Sequence, residues 1–458
     1  MRSVNFDETL FTRYGGRGPR YTSYPTALQF DEAFGESAYM ENALRSNQSG
    51  RPLSLYAHIP FCQSLCYYCG CNKIVTRNGE RIERYLDCLH EEIRRQAELF
   101  DRERQVSQLH FGGGTPTYLD DLQLTKLMQS LSSEFNFAAS DEREFSIEID
   151  PRSTHDETMQ ILAQLGFNRV SLGIQDFNTD VQIAVNRIQS PDDVARLMED
   201  ARQFGYRSVS FDLIYGLPFQ SVSSFDATLD QVVAMRPDRL AVYNYAHLPE
   251  RFKGQRMIRD EHLPSASTKI AILRHTIEKL MDAGYVYIGM DHFALPDDDL
   301  ALARENGTLQ RNFQGYSTHG GSDLVSLGVS AISHIGNSFA QNALTTAEYE
   351  ERIRSGHLPV RKGLVVDDDD LLRADVIHEI MCHDTLDFHA FSTSHDIAFT
   401  DYFADELDRL EPLADDGLIQ LDDSRIDITD KGRLLLRSVA MVFDRHLTAD
   451  TTRFSKAI

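Results

Sequence analysis

From residue 53 onward the chain alternates between two hydrophobic patterns. Short runs of β-branched and aromatic residues lie at 53–60, 106–114, 143–150, 168–175, 208–216 and 239–247. Each closes on glycine, proline or a polar residue. The stretches between them, such as 83–100 and 192–204, place apolar residues at helical spacing. Six strand–helix units in series predict an α/β fold, a parallel sheet wrapped by helices in a partial (β/α)6 TIM-like barrel.

In such a fold chemistry gathers at the C-terminal ends of the strands. His58, Gly112–Thr115, Glu148, Gln175, Asp212 and Asn244 fall at those ends. Simple strand termination accounts for one or two such positions, and hardly for six. Residues 1–50, with Gly18-Pro-Arg-Tyr-Thr-Ser-Tyr-Pro-Thr26, read as an extended N-terminal arm and a possible substrate lid. The barrel is expected over 51–290, a barrel-completing segment lining the site over 291–364, and a small, mainly helical C-terminal domain with a β-hairpin near 418–429 over 365–458. Asp367–Asp370 reads as a solvated helix start rather than a metal site.

Composition adds exclusions. The formal charge is 46 − 70 = −24, which argues against binding nucleic acid through a basic surface. No apolar run approaches the ~20 residues of a membrane helix, and the first residues lack a signal-peptide core. A cytoplasmic, monomeric enzyme without nucleic-acid or membrane partners is the expectation. Cys88 and Cys382 stand alone and read as packing residues.

The other four cysteines carry the chemistry: Cys62-Gln-Ser-Leu-Cys66-Tyr-Tyr-Cys69-Gly-Cys71. The spacing C-x3-C-x2-C lets one loop supply three thiolates to an iron–sulfur cube, whereas full ligation takes four. A cube with three protein ligands keeps an open iron for substrate or cofactor. Two other readings stand beside it: a zinc loop, although zinc sites usually pair two separated C-x2-C units, and an electron-transfer cluster completed by Cys71 or a distant cysteine.

The loop and its surroundings resemble the radical S-adenosylmethionine superfamily and, more narrowly, the oxygen-independent coproporphyrinogen III oxidase family. The likeness is carried by Arg20-Tyr-Thr-Ser-Tyr-Pro-Thr-Ala27, Tyr56-Ala-His-Ile-Pro-Phe-Cys62, Cys69-Gly-Cys-Asn-Lys73, Gly112-Gly-Gly-Thr-Pro-Thr117, Gln175-Asp-Phe177, Asp212-Leu-Ile-Tyr-Gly-Leu-Pro218, Asn244-Tyr-Ala-His-Leu248, Gly289-Met-Asp-His-Phe293 and Asn312-Phe-Gln-Gly-Tyr316. The resemblance implies one 4Fe-4S cluster on Cys62, Cys66 and Cys69, and two S-adenosylmethionine molecules. It implies oxidative decarboxylation of two propionates of coproporphyrinogen III to vinyls, giving protoporphyrinogen IX in anaerobic haem biosynthesis. An electron donor and an acceptor are required, and the sequence identifies neither.

By the same resemblance the cofactor positions are Tyr56, Tyr68, Gly113, Gly114, Thr115, Glu148, Gln175, Arg187, Asp212, Ala246, Phe313, Gln314 and Ile332, with Tyr68 standing where the family more usually has phenylalanine. Phe313 and Gln314 correspond to contacts of the second cofactor molecule. Cys71 and His58 are the catalytic candidates. His292 is a further candidate for proton handling or substrate contact, Arg20, Lys73 and Arg77 for the substrate's carboxylates, and Tyr21 and Tyr24 for closing over the macrocycle. The alternatives are a haem-binding chaperone relative, or another radical enzyme of the superfamily acting on a tetrapyrrole.

Overall fold

The structure, a computed structural model, describes residues 4–448 and divides into two compact units: Phe30–Pro264 with Gly321–Val365, and Met1–Gln29 with Ser265–Gly320 and Val366–Ile458. The expected arm therefore parts after Gln29, residues 30–50 belonging with the barrel strands.

The first unit holds all six expected strands: β1 (Leu53–Ile59), β2 (Gln105–Gly113), β3 (Glu144–Ile149), β4 (Arg169–Gln175), β5 (Ser208–Tyr215) and β6 (Arg239–Asn244). They pair in parallel and in sequence order. Parallel neighbours need a crossover, and helices α1 (Gly79–Ala97), α2 (Asp121–Glu134), α3 (Thr158–Gln164), α4 (Thr179–Ala184), α5 (Pro191–Gln203) and α6 (Val222–Met235) supply it. On the other flank β1 pairs in parallel with β7 (Asp323–Leu327), and β8 (Ile332–Ile335), β9 (Ser338–Asn342) and β10 (Val360–Val365) continue antiparallel. Among the described residues this run of strands stays open, the partial barrel the periodicity predicts.

Local signals set the helix boundaries. Asn78 accepts from the Arg81 N–H at the start of α1, and Asp120 with Gln123 forms a capping box at α2. Along α1, Ile82, Tyr85, Leu86, Leu89 and Ile93 form the buried stripe that lies on the sheet. The strands bury both faces, so Leu55, Ala57, Leu109, Phe111, Phe145, Ile147, Leu172 and Phe211 are wholly inaccessible.

The other unit has its own core, built from Leu10, Phe11, Tyr21 and Tyr24 of the arm and Ile377, Ile380, Phe403, Leu436 and Phe443 of the C-terminal helices. Cys382 is buried there, as Cys88 is in α1. The expected hairpin is formed by Ile419–Leu421 and Arg425–Ile428, with Thr385–Asp387 added as a third strand. Asp367 caps the helix Asp368–His383 by accepting from the Asp370 N–H at 2.8 Å. Arg445 pairs with Asp367, Asp369 and Asp370 at 2.6, 2.5 and 2.9 Å and Asp370 is buried, so this acidic run is an ion-paired helix start and not the wholly solvated one expected. Among the described residues no helix is long and apolar enough to cross a membrane.

Behind β1 and β7, Glu92 of α1 is entirely buried and makes no ion pair among the described residues. Its carboxyl accepts from the Gly328 N–H (2.7 Å), the Tyr349 hydroxyl (2.6 Å) and the Asn342 amide (2.9 Å). Burial outweighs these donors and pushes its pKa up from 4.5 to about 7. Folded protein thus holds this proton over a range where unfolded chain has released it. The resulting stability is full below pH 4.5, falls as pH rises towards 7, and is gone above it. Unfolding by urea across this range is expected to show that decline in the wild type. Glu92→Gln should flatten it, and an unchanged slope would assign the pH dependence to other groups.

Candidate active site

The cysteine loop leaves β1 and has almost no regular structure of its own. Its first residues, Phe61 and Cys62, pair in parallel with Ile74 and Val75, where the loop returns. The end of β2 runs alongside: the Gly114 N–H donates to Ile59 O and the Thr115 N–H to Phe61 O, both at 2.8 Å. This approach requires glycine. A Cβ on Gly114 would sit 2.8 Å from Phe61 O, and one on Gly113 would sit 2.6 Å from the His58 ring. Gly113 also has φ +112°, a conformation side chains disfavour.

The loop's outer part is tied to neighbouring segments. The Tyr67 N–H donates to Val185 O (3.0 Å) and the Asn186 amide to Leu65 O (2.8 Å) just after α4. The buried Gln255 amide donates to Tyr68 O (2.8 Å) and Ala246 O (3.1 Å) beyond β6. Lys73 Nζ closes the loop on Cys69 O at 2.9 Å.

Cys62, Cys66, Cys69 and Cys71 all line one cavity of about 340 Å³ at the C-terminal ends of the strands. Three sulfurs face donors. The Thr115 hydroxyl lies 3.5 Å from Cys62 Sγ, Arg152 Nη2 lies 3.2 Å and Arg187 Nη1 3.5 Å from Cys66 Sγ, and the Cys71 N–H lies 3.5 Å from Cys69 Sγ. Such donors stabilise the negative charge of thiolate ligands. One tetrahedral zinc needs sulfurs about 3.8 Å apart. Among the described residues no three cysteine sulfurs gather within 4.8 Å, so the spread suits a larger centre. Three thiols on one loop, flanked by guanidinium and hydroxyl donors, fit an iron–sulfur cluster with one position left for another ligand.

Across the cavity two carboxyls are driven apart in pKa. Burial opposes ionisation of Glu148, but its bonds to the His110 ring (3.3 Å) and the Gly113 N–H (3.1 Å) hold it below the usual carboxylate range. Burial pushes Asp212 up to about 7, the charge on Glu148 adds to that, and the Ser171 hydroxyl at 3.0 Å opposes it. Asp150 holds Arg152 at 2.7 Å and Arg187 at 2.9 Å. Burial works against that carboxylate, yet the two arginines keep it low. Gln175 closes β4 at φ +67°, a strained conformation at a residue facing the cavity.

Of the residues read from sequence, Tyr68, Gly113, Gly114, Thr115, Glu148, Gln175, Arg187 and Asp212 line this cavity with the four cysteines, as does Lys73. Tyr56, Ala246 and Ile332 are not among its lining residues. Tyr56 stacks on His110 at 5.8 Å, Ala246 is held through its carbonyl, and the Ile332 carbonyl accepts from Ser326, which stands opposite Tyr56 in the β1–β7 register. His58 sits behind the wall. Its Nε2 faces Asn72 O at 3.0 Å and therefore carries the hydrogen, leaving Nδ1 to accept from the Tyr56 hydroxyl at 3.1 Å. Burial lowers its pKa, so the ring is neutral and both nitrogens are engaged. Arg77 is exposed and lies outside the lining.

Phe313, Gln314 and His292 belong to the other unit. Phe313-Gln314 is the two-residue turn between strands Gln310–Asn312 and Gly315–Ser317, and His292 meets Tyr316 edge-on at 5.3 Å. Arg20 pairs with Asp291. Tyr21 and Tyr24, the candidates for closing over the macrocycle, also lie in that unit. Both are buried in that unit's core, the Tyr21 hydroxyl donating to Asp444 (3.0 Å) and the Tyr24 hydroxyl accepting from the Arg445 N–H (3.2 Å).

Sequence reading missed Asp150, Arg152, His110, Ser171 and Tyr243. Asp150 and Arg152 had a usable signal, since they follow Glu148 at alternate positions past a strand end. His110 and Ser171 had none, being single polar residues inside strands.

Three thiols on a loop after the first strand of a six-unit parallel sheet define a radical S-adenosylmethionine enzyme, and the model of the radical SAM superfamily matches residues 56–232. The model of the HemN C-terminal domain matches residues 366–435. The chain belongs to the oxygen-independent coproporphyrinogen III oxidase family: it is 51% identical over 459 residues to the member from Pseudomonas aeruginosa and 48% identical over 460 residues to that from Escherichia coli, covering 100% of both chains in each case. A solved structure described as coproporphyrinogen III oxidase (HemN) from Escherichia coli, a radical SAM enzyme, superposes with a TM-score of 0.93 at 48% identity, over 97% of this chain and 100% of that one.

Gly113→Ala is expected to force the His58 ring and the loop apart. Iron and sulfide bound after anaerobic reconstitution should fall several-fold while the far-ultraviolet circular dichroism is kept. Wild-type cluster content in that variant would show that the loop tolerates the added methyl.

Proposed function

We infer that the chain oxidatively decarboxylates two propionates of coproporphyrinogen III to vinyls, the reaction its family is named for. The observation carrying this reading is Cys71, a fourth thiol on the cavity wall that holds the three ligand thiols, in a chain alike to these oxidases along its whole length. Cluster and S-adenosylmethionine, when bound, supply one-electron reduction and an adenosyl fragment able to take a hydrogen atom from the propionate carbon next to the macrocycle.

The chain's own residues then have separable tasks. Cys62, Cys66 and Cys69 hold the cluster, and Arg152 and Arg187 offset the charge on Cys66. Gly113, Gly114 and Thr115 bring backbone up to the loop, leaving room for the methionine portion of the cofactor. Glu148 and Asp212 accept from the cofactor's ammonium and ribose hydroxyls. An ionised Glu148 suits the ammonium, and an Asp212 poised near neutrality can yield its proton when a cation arrives. Gln175 and Tyr68 complete that wall, with Tyr56, Ala246 and Ile332 shaping it from behind. Phe313 and Gln314 are assigned to the second cofactor molecule.

Lys73 is the cation on the cavity wall suited to a propionate carboxylate. His58 acts as a positioning residue, since its Nε2–H holds Asn72 O and thereby the residue after Cys71. The reading takes the chain as a cytoplasmic monomer served by an electron donor and an acceptor, without nucleic-acid or membrane partners. The net charge of −24 supports the exclusion of nucleic acid. A haem-binding chaperone role is disfavoured because Cys71 and the segment Arg20–Ala27 are both present.

Anaerobic incubation of reduced protein with S-adenosylmethionine and coproporphyrinogen III should release two carbon dioxide molecules per substrate and form protoporphyrinogen IX. Cofactor cleavage without decarboxylation would point to another activity of the superfamily. Cys71→Ser should retain iron and sulfide but lose turnover by at least about a hundredfold, the scale of losing a group that transfers a proton or hydrogen. Full turnover in that variant would make Cys71 a packing residue.

A further inference from the structure

The reaction draws one electron into the cysteine-held centre for every cofactor cleaved, and the surface over that loop has an unusual make-up. On a chain of net charge −24, the seven residues Arg251–Met257 carry three cations and no anion. Arg251, Lys253 and Arg256 are all exposed. The Arg256 side chain is anchored through Pro249 O (3.0 Å) and Arg251 lies over the Phe252 ring (5.3 Å), and neither of these contacts neutralises charge.

This segment lies against the ligand loop. Phe252 packs so near Gly70, between Cys69 and Cys71, that a Cβ there would meet its ring at 3.1 Å. Gly254 faces the Leu65 side chain, and Gln255 holds Tyr68 O.

Large apolar side chains stand open on the same clamping segments. Met257 is 61% exposed, Ile183 58% and Ile188 62%. Met257 is two residues from Gln255. Ile183 precedes Val185 and Asn186, which bind Tyr67 and Leu65. Ile188 follows Arg187, whose guanidinium reaches Cys66 Sγ. The segment after α4 and the one beyond β6, which grip the outer part of the loop, therefore both offer exposed apolar residues, and the one beyond β6 adds the cations. Small apolar contacts with a charged rim suit a transient electron-transfer encounter, which buries less than about 1,200 Å² and is steered by charge.

We propose that Arg251, Lys253, Arg256 and Met257, with Ile183 and Ile188, form the docking surface for a small acidic one-electron carrier protein that reduces the cysteine-held centre. The step is a single electron transfer, in which the carrier loses one electron, the centre gains one, and no bond or proton moves. This rests on the reaction inferred above for the site, because that reaction creates the need for the electron.

Reduced flavodoxin, an acidic flavoprotein, serves as the probe. Its affinity for the reconstituted protein is measured by calorimetry at 50 and 300 mM salt, and product formation is driven in parallel by flavodoxin or by dithionite. The triple variant Arg251→Glu, Lys253→Glu, Arg256→Glu is expected to weaken binding at least about tenfold at low salt and to lose the salt dependence, with dithionite-driven turnover unchanged. Arg94→Glu, on α1, is the control and should bind as the wild type does. Absence of wild-type binding, equal affinity of the triple variant, or a parallel fall in its dithionite-driven turnover would each overturn the assignment. Failure of dithionite itself to drive decarboxylation in the wild type would instead count against the reaction, leaving the binding comparison to judge the surface.

Discussion

The backbone of the cysteine loop is held by hydrogen bonds from outside it, and the rest of the site depends on that grip. Three ligand thiols on one stretch must be splayed to meet a cluster, and a loop this short gains little from contacts with itself. Its shape comes from Gly114 and Thr115 at the end of β2, Val185 and Asn186 after α4, and Gln255 beyond β6. Gly114 and Thr115 directly follow a strand, and the other partners lie in the segments that leave the C-terminal ends of β4 and β6, so the order of the parallel sheet translates into the placement of the sulfurs.

The same grip sets the electrostatics. Asp150 fixes two guanidiniums that face Cys66, so positive charge is preorganised where thiolate charge will sit and needs no rearrangement on ligand binding. Glu148 and Asp212 line the same cavity with different proton affinities, because His110 and a backbone N–H serve one while the Ser171 hydroxyl serves the other, which also feels the charge on Glu148. Two like carboxyls thereby acquire different duties from their surroundings. Behind them, His58 has both ring nitrogens engaged by hydrogen bonds. It ties Tyr56 on one side to Asn72 on the other, coupling the end of β1 to the residue after Cys71.

Much of this was legible along the chain. The six strands appear where the runs of β-branched and aromatic residues lie, because a buried parallel strand shows as a continuous apolar run between amphipathic helices. The cysteine triplet was readable because its ligands are local, eight residues spanning Cys62 to Cys69. Gly113 and Gly114 were legible as strand-end and cofactor positions, and the structure adds that they pass close to the chain's own loop and the His58 ring. At the tyrosines of the arm the local pattern stops being informative, since an aromatic residue in a turn-rich segment looks the same whether it faces a site or, like Tyr21 and Tyr24, is buried in a core.

What the amino-acid sequence determined by itself was everything with a short period or a short span: the alternation of strands and helices, the caps, the ligand spacing, and the polar residues at strand ends. Tertiary structure alone decided which of those polar residues meet. Asp150 reaches Arg187 from thirty-seven positions away, and His110 reaches Glu148 from thirty-eight. Such pairs leave no periodic trace, because the distance between them is set by strand order and register and not by any rule along the chain.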